Sequence, residues 1–182
     1  MQTYDIIVIG SGPAGQRAAI QAAKCGRRVV VIEQREIVGG ACINTGTIPS
    51  KTMREAVMHL SGFQYQGIYG INYHVKEKIG IADLGFRVNQ VVKTEVDVTQ
   101  AQLARNGVEV IFGRASFVDA THVRVENSRG ISDFEAQTVI VAVGTRPAVS
   151  PMVPLNGKTI INSDQILEMP EIPRTFIVVG GG

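Results

Sequence analysis

Three glycines and one acid in the first 33 residues have the types and the spacing of a nucleotide-binding site. Gly10, Gly12 and Gly15 form a G-x-G-x-x-G motif, and Glu33 ends the second of two β-branched runs. In such a motif the first glycine permits a tight turn, the second lets the backbone approach a pyrophosphate, and the third lets a helix pack closely on a strand. The helix amino terminus offers unpaired N–H groups to phosphate charge, and the acid accepts hydrogen bonds from ribose hydroxyls.

A simpler role for these glycines is only to permit a turn, and for an isolated hexapeptide that interpretation would prevail. In this chain a strand-like run precedes the motif, a helix-like run follows it, and Glu33 closes the next strand-like run. This context favours nucleotide binding. The motif by itself leaves open whether the nucleotide is FAD or NAD.

A second group of candidate residues lies in the segment GGACINTGTIPSK, residues 39–51. It contains Cys42, and the residue five positions later is Thr47. A threonine hydroxyl has no accessible thiolate near neutral pH and cannot close a disulfide. These two positions therefore cannot form a disulfide with each other, and Cys25 lies far away in sequence, near the end of the first predicted helix.

The few cysteines and histidines also limit the classes of function. Two cysteines cannot form a multi-bridge secreted framework. Together with the three scattered histidines they match no metal-ligand spacing, so we expect no metal site. A reducing, cytoplasmic setting fits this composition best. The histidines belong to no catalytic constellation; they are His59, His74 and His122.

The elements that must position these residues begin with a βαβ unit over residues 4–33. Strand-like runs at 4–9 and 27–33 flank a helix-like segment that stops at Gly26, and a right-handed crossover between them predicts a parallel sheet. A second helix is predicted from Pro49, in its first turn, to near Gly62, followed by a loop to residue 80. Residues 81–106 suit either a helix or an alternating strand, and we predict a helix that ends at Asn106-Gly107.

In the second half of the chain the sequence predicts several strands, followed by a connecting segment. Short β runs at 108–113, 115–119, 122–126 and 136–144 are consistent with one more strand of the main sheet and a small antiparallel meander. Residues 145–173 contain five of the seven prolines, with helix expected only around 163–169. Residues 175–182 again form a β-branched run that closes on glycines, which predicts the start of a second nucleotide-binding unit.

These elements predict an α/β, Rossmann-like domain with a central parallel sheet, helices and a small antiparallel β-meander. We expect a domain over residues 1–147, a connecting segment over 148–174, and the start of a truncated domain at 175–182. The charge balance is nearly even, with 18 Lys and Arg against 16 Asp and Glu, and no basic run suggests nucleic acid as a partner. The apolar run at 6–9 is too short for a signal peptide or a membrane span, so no membrane association is expected.

The segment at residues 39–51 resembles the active-site stretch of the class I pyridine nucleotide–disulfide oxidoreductases. This is the flavoenzyme family of dihydrolipoyl dehydrogenase, glutathione reductase and mercuric reductase, in which two cysteines five positions apart lie beside the flavin. The resemblance extends to GRA at 113–115, VAVGTRP at 141–147 and SDQIL at 163–167. The segment TGTIPSKTMREAV, continued by HLSGFQYQGIYG, resembles the soluble, si-specific NAD(P)+ transhydrogenase branch, which lacks the active disulfide.

The resemblance implies a bound FAD, hydride transfer between NADPH and NAD+, and a homodimer or higher homo-oligomer. It also implies that this chain is the amino-terminal part of the enzyme and is inactive alone. Lys51 corresponds to the family lysine near the flavin N5, where its charge could tune the flavin, and is the candidate catalytic residue. The FAD-binding positions that it implies are Gly10, Gly12, Pro13, Ala14, Gly15, Glu33, Gln34, Gly40, Ala41, Cys42, Gly46, Thr47, Lys51, Gly113, Arg114, Ala115, Ala142, Gly144 and Thr145.

Several of these residues also have a purely structural interpretation, and two further functions stay open. Lys51 could be a solvated lysine, Cys42 a small buried apolar residue, and Gly144 a turn residue at the end of a strand. A dihydrolipoyl dehydrogenase-like or mercuric reductase-like enzyme is the first alternative, and Thr47 argues against it. A nonenzymatic flavin- or nucleotide-binding module is the second, and the final glycines argue against a chain that ends there.

Overall fold

Strands β1 to β6 form one sheet in the computed structural model, which describes residues 2–180. The strands are β1 Gln2–Ile9, β2 Val29–Glu33, β3 Glu109–Phe112, β4 Arg114–Phe117, β5 His122–Asn127 and β6 Gly130–Val141. Their order is β3-β2-β1-β6-β5-β4. The first four of that order run parallel, and β6, β5 and β4 pair antiparallel. The predicted α/β class, with its parallel sheet and meander, is confirmed.

Helices α1 to α5 alternate with the strands or connect them. They are α1 Pro13–Lys24, α2 Gly40–Asn44, α3 Thr47–Leu60, α4 Gln66–Tyr69 and α5 Ile81–Arg105, and 3₁₀ turns occur at Phe63–Tyr65 and Gln165–Glu168. The predicted helix at 81–106 is confirmed almost to its last residue. Gly107 ends it with a φ of 71°, and the Val108 N–H donates to the Leu103 carbonyl at 3.0 Å.

The chain divides into two compact units. One consists of Met1–Ile48 and Val91–Arg146, and the other of Pro49–Gln90 and Pro147–Gly182. The first unit, called here the sheet unit, contains all six strands of the described chain. The second, called here the helical unit, contains α4, most of α3 and the first part of α5. No helix in the described residues is long and apolar enough to cross a membrane.

Period-two burial gives the sheet unit a core on both faces of its parallel strands. Val8, Val29 and Val31 pack on one face with Ala19 of α1 and Leu103 of α5. The alternate residues of the same strands pack on the other face against the meander; this second cluster contains Ile7, Val30, Ile32, Val123, Val125 and Phe134. Because both faces are covered, β2 is buried at every position, as is typical of a central parallel strand.

The meander is continuous with the parallel sheet. Strand β6 is 12 residues long and pairs with β5 through its first half and with β1 through its second half. The sequence predicted a strand only from residue 136, because Gly130–Glu135 reads as polar and turn-like. Pairing with β5 extends the strand back to Gly130.

Three local predictions need correction. Helix α2 was not predicted, and the predicted loop at 62–80 contains the 3₁₀ turn and α4. The helix expected around 163–169 is only the 3₁₀ turn at Gln165–Glu168. The predicted strand at 175–182 is not formed at residues 175–180, where no described strand pairs with the run and Ile177 is 87% exposed; residues 181 and 182 lie outside the described residues. A β-branched run becomes a strand only where a partner supplies its hydrogen bonds.

Candidate functional site

The carboxyl ends of the parallel strands bring the predicted segments to one edge of the sheet unit. Gly10 N–H donates to the Ile32 carbonyl, Gly113 N–H to the Glu33 carbonyl, and Ala142 N–H to the Ile9 carbonyl, each at 2.8 Å. The glycine motif, the acid and the segments at 113–115 and 142–145 therefore meet where β1, β2, β3 and β6 end. The strand order reverses between β1 and β6, and open α/β sheets bind ligands outside the carboxyl ends at such a point.

The glycine motif forms the turn from β1 into α1. Gly10 has a φ of 106°, and a Cβ there would overlap the carbonyl oxygen of Ala142. At Gly15 a Cβ would overlap the Gly10 carbonyl oxygen and crowd Val8 Cγ1 at 3.3 Å. Gly12 is the N-cap of α1 and makes no side-chain cap. The backbone N–H groups of the first turn of this 12-residue helix thus have no side-chain acceptor at the cap and favour an anion.

Two further glycines, at the start of α2, pack against the glycine motif. Gly39 and Gly40, with φ of 110° and 61°, lead into α2, and a Cβ on Gly40 would lie 2.8 Å from the Gly12 Cα. Backbone packs on backbone here. The absence of side chains at Gly12 and Gly40 leaves bare backbone beside the α1 amino terminus, called here the glycine cradle, which a pyrophosphate can approach closely.

Glu33 is held by Ser11, a residue that sequence reasoning missed. The Ser11 N–H and Oγ both donate to Glu33 Oε2, at 2.9 and 2.6 Å, and the Arg35 N–H donates to Oε1 at 3.0 Å. Ser11 is fully buried and Glu33 is 8% exposed. The sequence does contain a signal for this contact. Ser11 is a hydroxyl residue inside the glycine motif, just after the end of β1, and β1 pairs with β2, which ends at Glu33.

Cys42 lies in α2, and Thr47 is the first residue of α3. The chain turns between them at Gly46, whose N–H donates to the Ala41 carbonyl at 2.6 Å. A Cβ on Gly46 would lie 3.9 Å from the Cys42 Cα. The turn thus folds the residue before Thr47 back against Cys42. Both cysteines are free; Cys42 is partly buried and Cys25 is exposed.

The remaining predicted residues fall into two groups. Gln34, Arg114, Gly144 and Thr145 are exposed, Ala115 and Ala142 are partly buried, and Pro13 and Ala14 are exposed in the first turn of α1. All of these belong to the sheet unit. Lys51 is an exposed residue of α3 in the helical unit, so its assignment near the flavin stays a prediction.

Two buried side-chain oxygens at the end of α2 have no hydrogen-bond partner among the described residues. Asn44 donates through Nδ2 to the carbonyls of Val38 and Gly40, at 3.0 and 2.9 Å, whereas its buried Oδ1 has no partner. The buried Oγ1 of Thr45 also lacks one. Buried polar atoms are normally hydrogen-bonded. The glycine backbones and the α1 amino terminus supply N–H donors compatible with the pyrophosphate of a dinucleotide.

The fold and this edge define an α/β protein of the Rossmann-like class. The chain belongs to the pyridine nucleotide-disulphide oxidoreductase family, whose profile matches residues 4–182. The predicted family is therefore confirmed.

Among curated proteins, the chain is similar to soluble pyridine nucleotide transhydrogenases. It is 45% identical over 184 residues to the one from Mycobacterium bovis (strain BCG / Pasteur 1173P2), covering 100% of this chain and 39% of that protein. It is 37% identical over 180 residues to the one from Pseudomonas savastanoi pv. phaseolicola, covering 98% of this chain and 39% of the relative. The chain thus spans about two fifths of the length of the curated relatives that it matches.

Two solved structures share the fold. LpdA from Mycobacterium tuberculosis matches with a TM-score of 0.77 and 27% identity over 93% of this chain and 37% of that chain. The HOCl-induced flavoprotein disulfide reductase RclA from Escherichia coli matches with a TM-score of 0.72 and 28% identity over 93% of this chain and 35% of that one.

Proposed function

We propose that this chain is the FAD-binding part of an oxidoreductase that transfers hydride between NADPH and NAD+. The observation that carries the proposal is the convergence of the glycine cradle, Glu33 and the Cys42 segment at one edge of the sheet unit. The overall reaction is balanced, because NADPH gives two electrons and a proton as hydride to NAD+, forming NADP+ and NADH. The transhydrogenase names of the relatives support this choice of substrates.

Different residues of the sheet unit would bind different parts of the FAD molecule. Gly10, Gly12 and Gly15, with the α1 amino terminus, would hold the pyrophosphate, because they present N–H groups without side-chain bulk. Glu33 would hold the adenosine ribose, with Ala115 approaching the adenine through its backbone. Bound FAD would supply reversible two-electron chemistry, accepting and returning hydride.

The segment from Gly40 to Thr47 would line the flavin. Only Cys42 carries a thiol there, and Thr47 replaces the second cysteine of the disulfide enzymes. A hydroxyl cannot form the disulfide that those enzymes reduce, so electrons have no protein acceptor in this segment. Exchange between two nicotinamides needs no such acceptor. Lys51 would act as the cation that tunes the flavin.

The organisation of the whole protein belongs to the same proposal. We propose an FAD-binding domain over residues 1–147, a connection over 148–174, and the beginning of an NAD(P)-binding domain from 175. The enzyme would be a homodimer or higher homo-oligomer in the cytoplasm, with NADPH and NAD+ as substrates. The two free cysteines of this chain are compatible with a reducing compartment.

Anaerobic titration of the full-length protein with NADPH tests the proposal. A dithiol enzyme develops a thiolate-to-flavin charge-transfer absorption at the two-electron stage, and we expect none here because Thr47 cannot release a thiolate. The same protein should reduce an NAD+ analogue with NADPH and show no lipoamide activity. Turnover of dihydrolipoamide that Cys42→Ser abolishes would overturn the assignment.

Thr47→Cys is the matched variant. It restores the second thiol without supplying a disulfide substrate pocket or a proton-transfer base, so we expect no proficient disulfide reductase. Robust disulfide turnover in this single variant would show that the threonine alone separates the two activities.

A further inference from the structure

Ser11 connects three parts of the candidate site through one buried hydroxyl. Its Oγ donates to Glu33 Oε2 at 2.6 Å and accepts the Gly39 N–H at 3.1 Å. Its carbonyl oxygen accepts the same Gly39 N–H at 3.2 Å and the Gln16 Nε2 at 2.7 Å. Every polar atom of Ser11 is therefore engaged, and the side chain ties the glycine motif to the acid and to the start of α2.

The hydrogen bonds to Glu33 fill most of the acceptor positions of its carboxylate. An ionised carboxylate has about four acceptor positions, two on each oxygen. Oε2 receives two donors, both from Ser11, and Oε1 receives one, from the Arg35 N–H. One acceptor position on Oε1 is left among the contacts of the described residues. Burial of Glu33, which is 8% exposed, restricts its rotation to another orientation.

We infer that Ser11 is a positioning residue that turns Glu33 so that it accepts a single ribose hydroxyl from the adenosine half of FAD. The inference rests on the proposed FAD site. It goes beyond that site because a freely oriented carboxylate can accept both hydroxyls of a ribose diol, one on each oxygen. With Oε2 held by Ser11, the two hydroxyls are not equivalent, and one of them contributes little to recognition by Glu33.

The test uses apoenzyme of the full-length protein, from which FAD has been removed. ADP, 2′-deoxy-ADP and 3′-deoxy-ADP compete with FAD, and quenching of flavin fluorescence reports occupancy of the FAD site alone. A hydrogen bond to a charged group makes a difference of about tenfold or more in affinity. We expect one deoxy analogue to bind about tenfold more weakly than ADP and the other to bind within about twofold of ADP. Equal losses for both analogues would overturn the inference.

Ser11→Ala should reduce this discrimination. Without the hydroxyl, Glu33 Oε2 keeps only the Ser11 N–H as a donor and the carboxylate is released to turn toward both ribose hydroxyls, so the ratio between the two deoxy analogues should fall from about tenfold toward one. A general loss of structure would weaken all three ligands together and leave the ratio unchanged, which would also contradict the inference. Ser11→Cys, which keeps a similar volume with a weak donor, provides the same test if the alanine variant does not fold.

Gln16→Met is the matched control. It removes the 2.7 Å hydrogen bond to the Ser11 carbonyl and leaves the hydroxyl–carboxylate contact in place. The discrimination ratio should stay at its wild-type value, whatever happens to absolute affinity. A fall equal to that of Ser11→Ala would show that the hydroxyl has no special role. Failure of the wild-type protein to bind FAD at all would instead overturn the proposed function, and this inference with it.

Discussion

The sheet unit and the helical unit differ in how their apolar side chains are used. In the sheet unit, β2 is buried at all five positions and two apolar clusters cover both faces of the parallel strands. In the helical unit and its carboxyl-terminal segment many large apolar side chains face solvent, among them Ile71 at 85%, Met152 at 90% and Ile177 at 87% exposed. Long-range strand pairing encloses a core in the first unit, whereas the second consists mainly of short local elements.

The largest difference should come from deleting a side chain in each unit. Ile7→Ala removes a fully buried side chain from the cluster shared by β1, β2 and the meander, and should lower the free energy of unfolding by about 2–5 kcal/mol. Ile71→Ala removes an exposed side chain and should change it by less than about 0.5 kcal/mol. Urea unfolding of both variants checks this. A large loss of unfolding free energy in Ile71→Ala would contradict this prediction, because it would show that the Ile71 side chain is buried in the protein.

Glycine substitution should give the next largest difference. Gly15→Ala places a Cβ onto the Gly10 carbonyl oxygen and should destabilise the protein by about 2–3 kcal/mol and weaken FAD binding. Gly85, in α5 of the helical unit, has no atom within 4 Å of an added Cβ. Gly85→Ala should therefore stabilise the protein by up to about 1 kcal/mol. Thermal unfolding of both variants checks this prediction. A change of the melting temperature in the same direction for Gly15→Ala and Gly85→Ala would contradict it.

A smaller difference is expected for tyrosine hydroxyls. Tyr4 is buried, with its hydroxyl 2.6 Å from Glu109 Oε2 and its ring under the Arg28 guanidinium. Tyr4→Phe should cost about 1–2 kcal/mol, because the hydrogen bond to a carboxylate is lost. Tyr69 is 66% exposed, and Tyr69→Phe should have almost no effect on urea unfolding.

The same tyrosine predicts an alkaline transition. Burial, with a further contribution from the hydrogen bond to Glu109, raises the pKa of Tyr4 to about 12 from 10.0. The unfolded chain loses this proton first, so the contribution of Tyr4 is fully present below pH 10 and is lost as pH rises toward 12. In Tyr4→Phe the decline in stability over that range should be shallower. An identical slope in wild type and variant would contradict this assignment.

The smallest effect is expected at the exposed turn between β4 and β5. Asp119 accepts the backbone N–H groups of Thr121 and His122, each at 2.8 Å, and contacts His122 Nδ1 at 2.8 Å. The Thr121 N–H first, then the imidazole, lowers the pKa of Asp119 to about 2. Hydrogen bonding to Asp119 raises the pKa of His122, with further support from Glu135 and Asp133.

The signs of these shifts define a pH window. The His122 contribution is fully present below 6.5 and is lost as pH rises through the raised pKa. That of Asp119 is present above 3.8 and is lost as pH falls toward 2. The pair therefore stabilises the turn most between pH 3.8 and 6.5. His122→Gln should remove the decline above this window, as measured by urea unfolding at several pH values; a variant that keeps the wild-type decline would assign it to another group.

The elements that the sequence predicted well are those whose signal is local and repeated. β1 and β2 are β-branched runs closed by a glycine or an acid, and α1 begins at Pro13 and ends at Lys24, just before Gly26, whose φ is 75°. The glycine motif lies where its spacing placed it, since each glycine is required by a close backbone approach or the helix start. The missing dithiol follows from residue identity alone at Thr47.

The contacts within the candidate site could not be predicted from local sequence patterns. Ser11 and Glu33 are 22 positions apart, and Ser11 and Gly39 are 28 apart, so their hydrogen bonds exist only because β1 and β2 pair in one register. The helix α2 has five residues, too few for a periodic pattern. The cofactor-binding roles of the predicted FAD-binding positions remain predictions.

The sequence by itself determined the family, the parallel order of the first two strands and the chemistry that Thr47 removes, because each depends on residue type or short spacing. Tertiary structure alone decided that β6 belongs to both the parallel sheet and the meander, and that Ser11 holds Glu33. A strand needs a partner and a buried carboxylate needs donors. Both are supplied by segments distant along the chain, whose meeting depends on the packing of the whole sheet.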